Sequence, residues 1–190
     1  MSKPEELVLF WSGGKDAFLA LTEIDGKAAV TLLTTFNEKT QAVPHQEIPL
    51  YVIKEQARQL NLKLLAVPLP DQCPNELYLT KLEQALKKIT SKPKLVFGDL
   101  RLANIRTWRE QVFHNMGYEC RFPIWNKPYP ELLAKLWRQP VEIHISAVTP
   151  PYQNVLKPGM KYDGQLVKNL PPNIDPLGEN GEFHTVISFL

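Results

Sequence analysis

Short apolar or β-branched runs alternate with segments of helical periodicity through the first two thirds of the chain. The runs that read as strands are Leu7–Trp11, Ala28–Thr35, Lys63–Val67 and Lys94–Phe97. Helical spacing follows each of them, over Asp16–Ile24, Pro49–Leu60, Asn75–Thr90 and Leu102–Met116, while residues 37–45 are polar and are predicted to form a loop. Strands that alternate with helices build right-handed βαβ units, so the pattern predicts a parallel sheet of about five strands with flanking helices.

The pattern changes near residue 120. Proline accounts for 17 of the 190 residues, which is more than the usual share of about 5%, and much of this excess lies after Phe122. The regular elements predicted there are a helix over Pro130–Trp137, a strand over Val141–Val148 and a final apolar run to Leu190. We therefore expect two parts: residues 1–120, and a smaller α+β part at 121–190 that closes over the strand ends.

Composition excludes several classes of protein. The chain is 44% hydrophobic and 22% charged, which is typical of a globular protein, and its formal charge of +2 without a dense basic run argues against a dedicated nucleic-acid binder. No apolar stretch is long enough to cross a membrane or to form a signal-peptide core. Cys73 and Cys120 lack a CxxC partner, which excludes a disulfide scaffold. We expect a cytoplasmic protein.

The segment Ser12-Gly13-Gly14-Lys15-Asp16 joins the first predicted strand to the first helix. Ligands of parallel α/β sheets bind at the carboxyl ends of strands, near helix N-termini. Two glycines allow the backbone to approach an anion closely, Ser12 adds a hydroxyl and Lys15 adds a positive charge. The segment fits neither GxxxxGK[ST] nor GxGxxG. It predicts a phosphate site, and the alternative is an ordinary strand–turn–helix junction.

This segment resembles the SGGxDS pyrophosphate loop of the adenine-nucleotide alpha-hydrolase superfamily, whose members cleave ATP between the α- and β-phosphates. Further matches to the diphthine–ammonia ligase family follow in that family's order: His45, Gln56-Ala57, Phe97-Gly98-Asp99-Leu100, Arg106, Arg109-Glu110, Phe122-Pro123-Ile124-Trp125, Asp175-Pro176 and GENGEFHT at 178–185. The chain is identified as a member of this family, of the bacterial type. It departs from the family pattern at Ala17, where the loop normally has Ser, and at Leu177, where Cys is frequent.

The resemblance implies a HUP-like α/β fold and an ATP-dependent amide ligase. In such an enzyme a carboxylate attacks the α-phosphate, pyrophosphate leaves, and ammonia then displaces AMP from the acyl-adenylate. ATP and Mg²⁺ are the implied cofactors. Ammonia and a carboxylate acceptor are the implied partners, and the acceptor is diphthine on elongation factor 2 in the family proper. No membrane partner is expected, and a homodimer is left open beside a monomer.

The resemblance also assigns roles to residues. The expected nucleotide contacts are Ser12, Gly13, Gly14, Lys15 and Asp16 of the loop, together with Asp99 and Arg106. Asp99 is the expected magnesium ligand, although an Asp after a strand is as often a helix cap. Arg106 is four residues before Glu110, so the alternative for this pair is an ion pair on one helix face.

Catalytic roles are expected for Lys15 and for three residues of the GENGEFHT segment, Glu179, Glu182 and His184. Two carboxylates and an imidazole within six residues suit a cationic substrate and proton transfer. The alternative is a glycine-rich turn before a strand, with Glu182 and His184 pointing to solvent.

Three rival functions stay open. Related pyrophosphate-loop enzymes thiolate tRNA with a cysteine pair, which Cys73 and Cys120 would supply. A pyrophosphatase acting on another small acid is the second rival. A non-catalytic adenine-nucleotide sensor is the third, because Ala17 removes a loop hydroxyl.

Overall fold

The structure is a computed structural model that describes residues 4–26, 28–89 and 92–190. Within those residues the strands are β1 (Glu6–Phe10), β2 (Ala29–Asn37), β3 (Ala42–Val43), β4 (Ile48–Pro49), β5 (Lys63–Leu69), β6 (Lys94–Val96), β7 (Cys120–Arg121), β8 (Val141–Val148) and β9 (Phe183–Phe189). The α-helices are α1 (Lys15–Thr22), α2 (Leu50–Gln59), α3 (Asn75–Leu86), α4 (Ala103–Asn115), α5 (Tyr129–Leu136) and α6 (Gly164–Lys168). The predicted α/β class is confirmed.

Five parallel strands form the centre of the sheet in the spatial order β5, β2, β1, β6, β7. The short strands β3 and β4 add an antiparallel extension beyond β2. β1 lies in the middle of these strands. Its side chains Leu7, Val8 and Leu9 are all almost fully buried, as expected for an apolar strand that is covered on both faces.

Helices cover both faces of this sheet. On one face α1 and α2 pack with α5 and with the inner side chains of β8 and β9, in a cluster that includes Phe18, Ile53, Leu132 and Ile187. On the other face α3 and α4 pack through Leu82, Leu86 and Phe113. The result is a helix–sheet–helix arrangement with an antiparallel β8–β9 pair beside α1.

The sequence predicted the longer elements to within a few residues at most ends. The predicted helix Asn75–Thr90 ends earlier, at Leu86, and Thr90 lies outside the described residues. The predicted loop 37–45 contains β3, and the helix α6 was not predicted. The division at residue 120 stays a prediction, and β7 lies across it.

Strand order places the functional edge. The chain leaves β1 for β2 on one side, and after β5 it returns to β6 on the other side. The connections after β1 and β6 therefore diverge at the carboxyl ends of neighbouring strands, which is where open α/β sheets bind ligands. Among the described residues, no helix has the length and apolar character needed to span a membrane.

Candidate active site

A cavity of about 580 Å³ opens at this divergence point, and its volume is in the range of small-molecule sites. Its walls come from both halves of the chain. The N-terminal half contributes the loop after β1, the end of β2, and the segment after β6, while the C-terminal half contributes the turn before β9 and the start of β9. The polar lining residues include Ser12, Lys15, Asp16, Thr34, Gln46, Tyr78, Asp99, Arg109, Glu179, Asn180, His184 and Thr185.

The loop Ser12–Asp16 packs directly on β9. The carbonyl oxygen of Gly13 accepts hydrogen bonds from the backbone N–H of Ile187 at 3.0 Å and from Nε2 of Gln56 at 3.1 Å. A Cβ atom on Gly14 would lie 2.7 Å from the carbonyl oxygen of Thr185, so this position has no room for a side chain. Gly14 is therefore needed for contact with β9 as well as for any approach to phosphate.

The start of α1 lines the cavity, and its N-cap residue, Gly14, has no side chain that could cap it. Its first N–H, that of Lys15, donates to Oγ1 of Thr185 at 3.1 Å. The following first-turn N–H groups have no intrahelical partner, as in any helix, and Ala17 among them lines the cavity. Gly98 lets β6 end against this turn, since a Cβ there would lie 2.7 Å from the carbonyl oxygen of Asp16. An uncapped helix start of this kind suits an anionic ligand.

The ammonium group of Lys15 is buried and bonded to acceptors within the protein. Its side chain is 2% exposed, and Nζ donates to the carbonyl oxygen of Leu177 at 2.5 Å and to both carboxylate oxygens of Asp16 at 2.9 Å. The rings of Tyr162 and Phe183 lie at 5.9 and 5.8 Å from the same atom. The phosphate role of Lys15 and Asp16 stays a prediction, and this pairing does not favour it.

Glu179 lines the same cavity. Its Oε2 accepts from the backbone N–H of Arg101 at 3.3 Å, and its own N–H donates to Oδ1 of Asp175. Burial raises the pKa of Glu179 to about 7, with a further contribution from the nearby carboxylate of Asp16, while Lys15 acts in the opposite direction. A carboxyl with a pKa near neutrality is suited to accept and release a proton.

Glu182 is held inside the turn and does not line the cavity. Its side chain is 1% exposed and accepts from the N–H of Asp175 at 2.9 Å, the N–H of Asn180 at 3.0 Å and Nδ2 of Asn180 at 3.0 Å. Burial acts to raise the pKa of Glu182, but these donors outweigh it and the pKa is lowered. The geometry thus separates Glu182 from Glu179 and His184 and favours a structural role.

His184 lines the cavity on β9 and is half-buried. Its pKa is lowered, first by burial and then by the positive charges of Lys15 and His45. The imidazole is therefore neutral at pH 7 and able to accept a proton. His45 is exposed and does not line the cavity; it lies in a segment where Gln41, His45 and Glu47 all have positive φ.

Asp99 and Arg109 form an ion pair in the opposite wall. Nε of Arg109 lies 2.7 Å from Oδ2 of Asp99, the side chains are 21% and 17% exposed, and the guanidinium stacks on Phe97 at 4.5 Å. Burial raises the pKa of Asp99 despite the attraction of Arg109. Tyr78 lines the cavity beside this pair.

The carboxylates do not fit a dedicated magnesium site. Over the part of the chain that the structure describes, no three side chains of His, Cys, Asp or Glu are grouped as metal ligands. Asp99, the expected ligand, is paired with Arg109. Magnesium stays a prediction.

Arg106 lies outside the cavity lining. Its Nε pairs with Oε1 of Glu110 at 2.9 Å, and its guanidinium covers the rings of Phe122 and Trp125 at 4.9 and 4.8 Å. The geometry therefore favours the ion-pair alternative for Arg106. Arg109, one turn further along α4, is the arginine that reaches the cavity.

Comparison with known proteins gives a family match and a structural match. A family model described as the diphthamide synthase N-terminal domain matches residues 5–120, which is more than half of the chain. The fold is similar to a solved structure from Methanocaldococcus jannaschii DSM, described as a predicted subunit of tRNA methyltransferase. The TM-score is 0.52 and the identity 14%, over 98% of this chain and 97% of that chain, so the likeness concerns the fold alone. A search of curated protein sequences gives no match.

Proposed function

We propose that this chain, which belongs to the diphthamide synthase family, is an ATP-dependent amide ligase. The family is one of ATP-using enzymes of the pyrophosphate-loop type. The observation that carries the finer proposal is that a helix start without a cap from its own N-cap residue and a proton-accepting carboxyl, Glu179, line one cavity. The first suits the phosphates of ATP, and the second suits an acceptor that gains nitrogen.

The reaction has two steps in this proposal. A carboxylate oxygen of the acceptor attacks the α-phosphorus of ATP, the bond to the bridging oxygen breaks, and pyrophosphate departs. Ammonia then attacks the carbonyl carbon of the acyl-adenylate, and the C–O bond to AMP breaks. Adenylation is needed because a free carboxylate is a poor electrophile with no adequate leaving group.

The residues of the chain would position the substrates and stabilise their charges, and would not form covalent bonds with them. First-turn N–H groups of α1 and the hydroxyl of Ser12 would hold the departing pyrophosphate. Glu179 in its ionised form would take the proton that nitrogen loses on forming the amide, and neutral His184 is a second acceptor within the same wall. Both groups act at neutral pH because their pKa values lie near or below it.

The test is product analysis with ATP labelled at the α-phosphate, ammonium labelled with ¹⁵N, and a panel of carboxylates that includes diphthine-bearing elongation factor 2. AMP, pyrophosphate and a ¹⁵N-amide are the expected products. ADP and phosphate would remove the adenylation mechanism. Binding of ATP without turnover on any acceptor would favour the nucleotide sensor, which the missing hydroxyl at Ala17 supports.

The tRNA-thiolating rival depends on reactive cysteines. Burial raises the pKa of Cys120 to about 11, so very little of it is thiolate at neutral pH. Replacing Cys73 and Cys120 together by Ser should leave AMP formation within about twofold of wild type. Loss of turnover in that variant would favour thiolation instead.

A further inference from the structure

Lys15 is joined to the C-terminal part of the chain at both its backbone and its side chain. Its N–H donates to Thr185 on β9, and its ammonium donates to the carbonyl oxygen of Leu177. Leu177 is 162 residues away in sequence and immediately precedes Gly178 and Glu179 of the cavity wall. One side chain therefore spans from the loop Ser12–Asp16 (the phosphate loop) to the turn that carries Glu179.

The ammonium has no donor left over for a phosphate. A lysine side chain has three N–H donors. In this structure its acceptors are the carbonyl oxygen of Leu177 and the two carboxylate oxygens of Asp16. The side chain is 2% exposed, and the faces of Tyr162 and Phe183 add favourable contacts with the charge. Turning Nζ toward a ligand would break contacts that a buried ammonium requires.

The turn that accepts the Lys15 hydrogen bond is also held by hydrogen bonds at its other backbone groups. Oδ1 of Asp175 accepts from the N–H groups of Leu177 at 2.8 Å and Glu179 at 3.3 Å. The hydroxyl of Tyr162 donates to the carbonyl oxygen of Pro176 at 2.6 Å. The carboxylate of Asp175 thus holds N–H groups of the turn, while Tyr162 and Lys15 hold its carbonyl groups.

We propose that Lys15 is a positioning residue, whose ammonium clamps the turn at Leu177 to the phosphate loop and so fixes the Glu179 carboxyl at the cavity. The proposal deepens the proposed function, because it assigns the loop lysine to the acceptor wall instead of the departing pyrophosphate. Phosphate contacts are then left to the backbone N–H groups of α1.

Lys15 also acts on the Glu179 carboxyl through its charge, in addition to holding the turn in position. The groups that act on this carboxyl are Lys15 and Asp16 on α1, Asp175 in the same turn and the N–H of Arg101, while Glu179 in turn affects the phenol of Tyr129 on α5. Lys15 is the only ammonium among them. A neutral residue at position 15 removes this attraction and exposes Glu179 to the unpaired carboxylate of Asp16.

The first experiment uses the wild-type protein and measures hydrogen exchange of residues 175–181 with and without ATP or pyrophosphate. We expect protection of these amides to stay within twofold or to increase, while the amides of residues 13–18 become more protected on binding. Exchange at 175–181 that is at least tenfold faster with nucleotide would show that the ligand draws Lys15 off Leu177, and would overturn the proposal.

The second experiment compares Lys15→Met with Lys135→Met. Lys135 is a matched control because its ammonium also joins a backbone carbonyl, that of Thr22, and a carboxylate, that of Glu23, at the far end of α1. In Lys15→Met we expect exchange at 177–181 to accelerate at least tenfold without nucleotide, and the Glu179 titration, followed by ¹³C carboxyl NMR, to move above its wild-type midpoint near 7. Lys135→Met should change neither.

ATP affinity separates this inference from the proposed function. We expect Lys15→Met to bind ATP within about threefold of wild type. Affinity that falls more than tenfold while 177–181 stays protected would identify Lys15 as a phosphate ligand and overturn the inference. Failure of the wild-type protein to bind ATP would contradict the proposed function alone, since the exchange and titration of Lys15→Met are measured without nucleotide. If that variant does not fold, the wild-type exchange experiment still decides.

Discussion

Nε of Arg109 and Oδ2 of Asp99 lie 2.7 Å apart in the cavity wall, yet neither atom has a partner aligned for a hydrogen bond. The two charges compensate each other in a place where water does not reach those atoms. Removing one partner of a buried pair leaves an uncompensated charge, which is usually far more costly than the pair is stabilising. The pair is therefore sensitive to substitution on either side.

Arg109→Met should lower the free energy of unfolding by about 3 kcal/mol at pH 7, because the Asp99 carboxylate then has no counter-charge. Adding Asp99→Asn should recover part of this loss. Urea unfolding of the single and double variants measures both effects. The control is Arg58→Met, which breaks an exposed pair with Glu55 and should have no measurable effect. Equal stability of Arg109→Met and wild type would mean that solvent reaches the carboxylate.

Glu179→Gln should change how stability depends on pH. Above the ordinary value of 4.5, the unfolded chain releases the Glu179 proton, whereas the folded protein retains it until about pH 7. The folded state binds more protons in that window, so the contribution of Glu179 to stability is lost as the pH rises from 4.5 to 7. The variant should lack this loss. Its free energy of unfolding, measured with urea, should therefore rise relative to that of wild type between pH 5 and pH 8. Glu76→Gln, on the exposed face of α3, is the control and should follow wild type. Parallel curves for Glu179→Gln and wild type would contradict the raised pKa.

Glu182→Gln should destabilise the turn without a direct effect on nucleotide binding. The buried carboxylate accepts three hydrogen bonds, and an amide at this position would set its NH₂ group against N–H donors. A cost of about 2 kcal/mol or more is expected at pH 7. Because the pKa of Glu182 is lowered on folding, this stabilisation is present above 4.5 and is lost as the pH falls through the folded pKa. Thermal unfolding tests the cost, with the exposed Glu38→Gln as control, and ATP affinity of the folded variant should stay within about threefold.

Ala17→Ser should tighten ATP binding about fivefold. Ala17 lies in the first turn of α1, is 4% exposed and lines the cavity, so a hydroxyl there adds a donor beside the expected phosphates. One hydrogen bond contributes about 1 kcal/mol, which corresponds to that change in affinity. Ala20→Ser is the matched control, since Ala20 is buried one turn later and outside the lining. Calorimetry that finds the same affinity for Ala17→Ser and wild type would mean that another group already fills the position.

The sequence predicted the larger part of the fold because long elements carry a periodic signal. The strand β1 is apolar at every position after Glu6, and the buried positions of the helix α2 recur every three to four residues. The two-residue strands β3, β4 and β7 are too short for any period, and their pairing depends on neighbours that are distant in sequence. No local pattern could have indicated them.

The candidate site was predictable to the level of the loop but not of individual side chains. The change from strand to helix period placed Ser12–Asp16 at the sheet edge. The choice between Arg106 and Arg109 depends on the rotation of α4, and Phe122 and Trp125 decide it by covering Arg106. The different roles of Glu179 and Glu182 depend on which carboxyl the turn's own N–H groups enclose, and sequence spacing does not contain that information.

The packing of Ser12–Asp16 against β9 fixes when the cavity can form during synthesis. Gly13 bonds Ile187, and Lys15 bonds Leu177 and Thr185, which lie 162 and 170 residues further along the chain, so the loop is completed by residues that are made much later. At ribosomal rates of about 5–20 residues per second, on the order of ten seconds separate the two segments. The helix start of α1 can emerge early, but the cavity that it shares with Glu179 cannot be completed until β9 has been translated and paired with β8. A nascent chain thus exposes the loop Ser12–Asp16 while it still lacks the part of the cavity wall that Glu179 and β9 supply, so the complete cavity exists only after β9 has been made and paired.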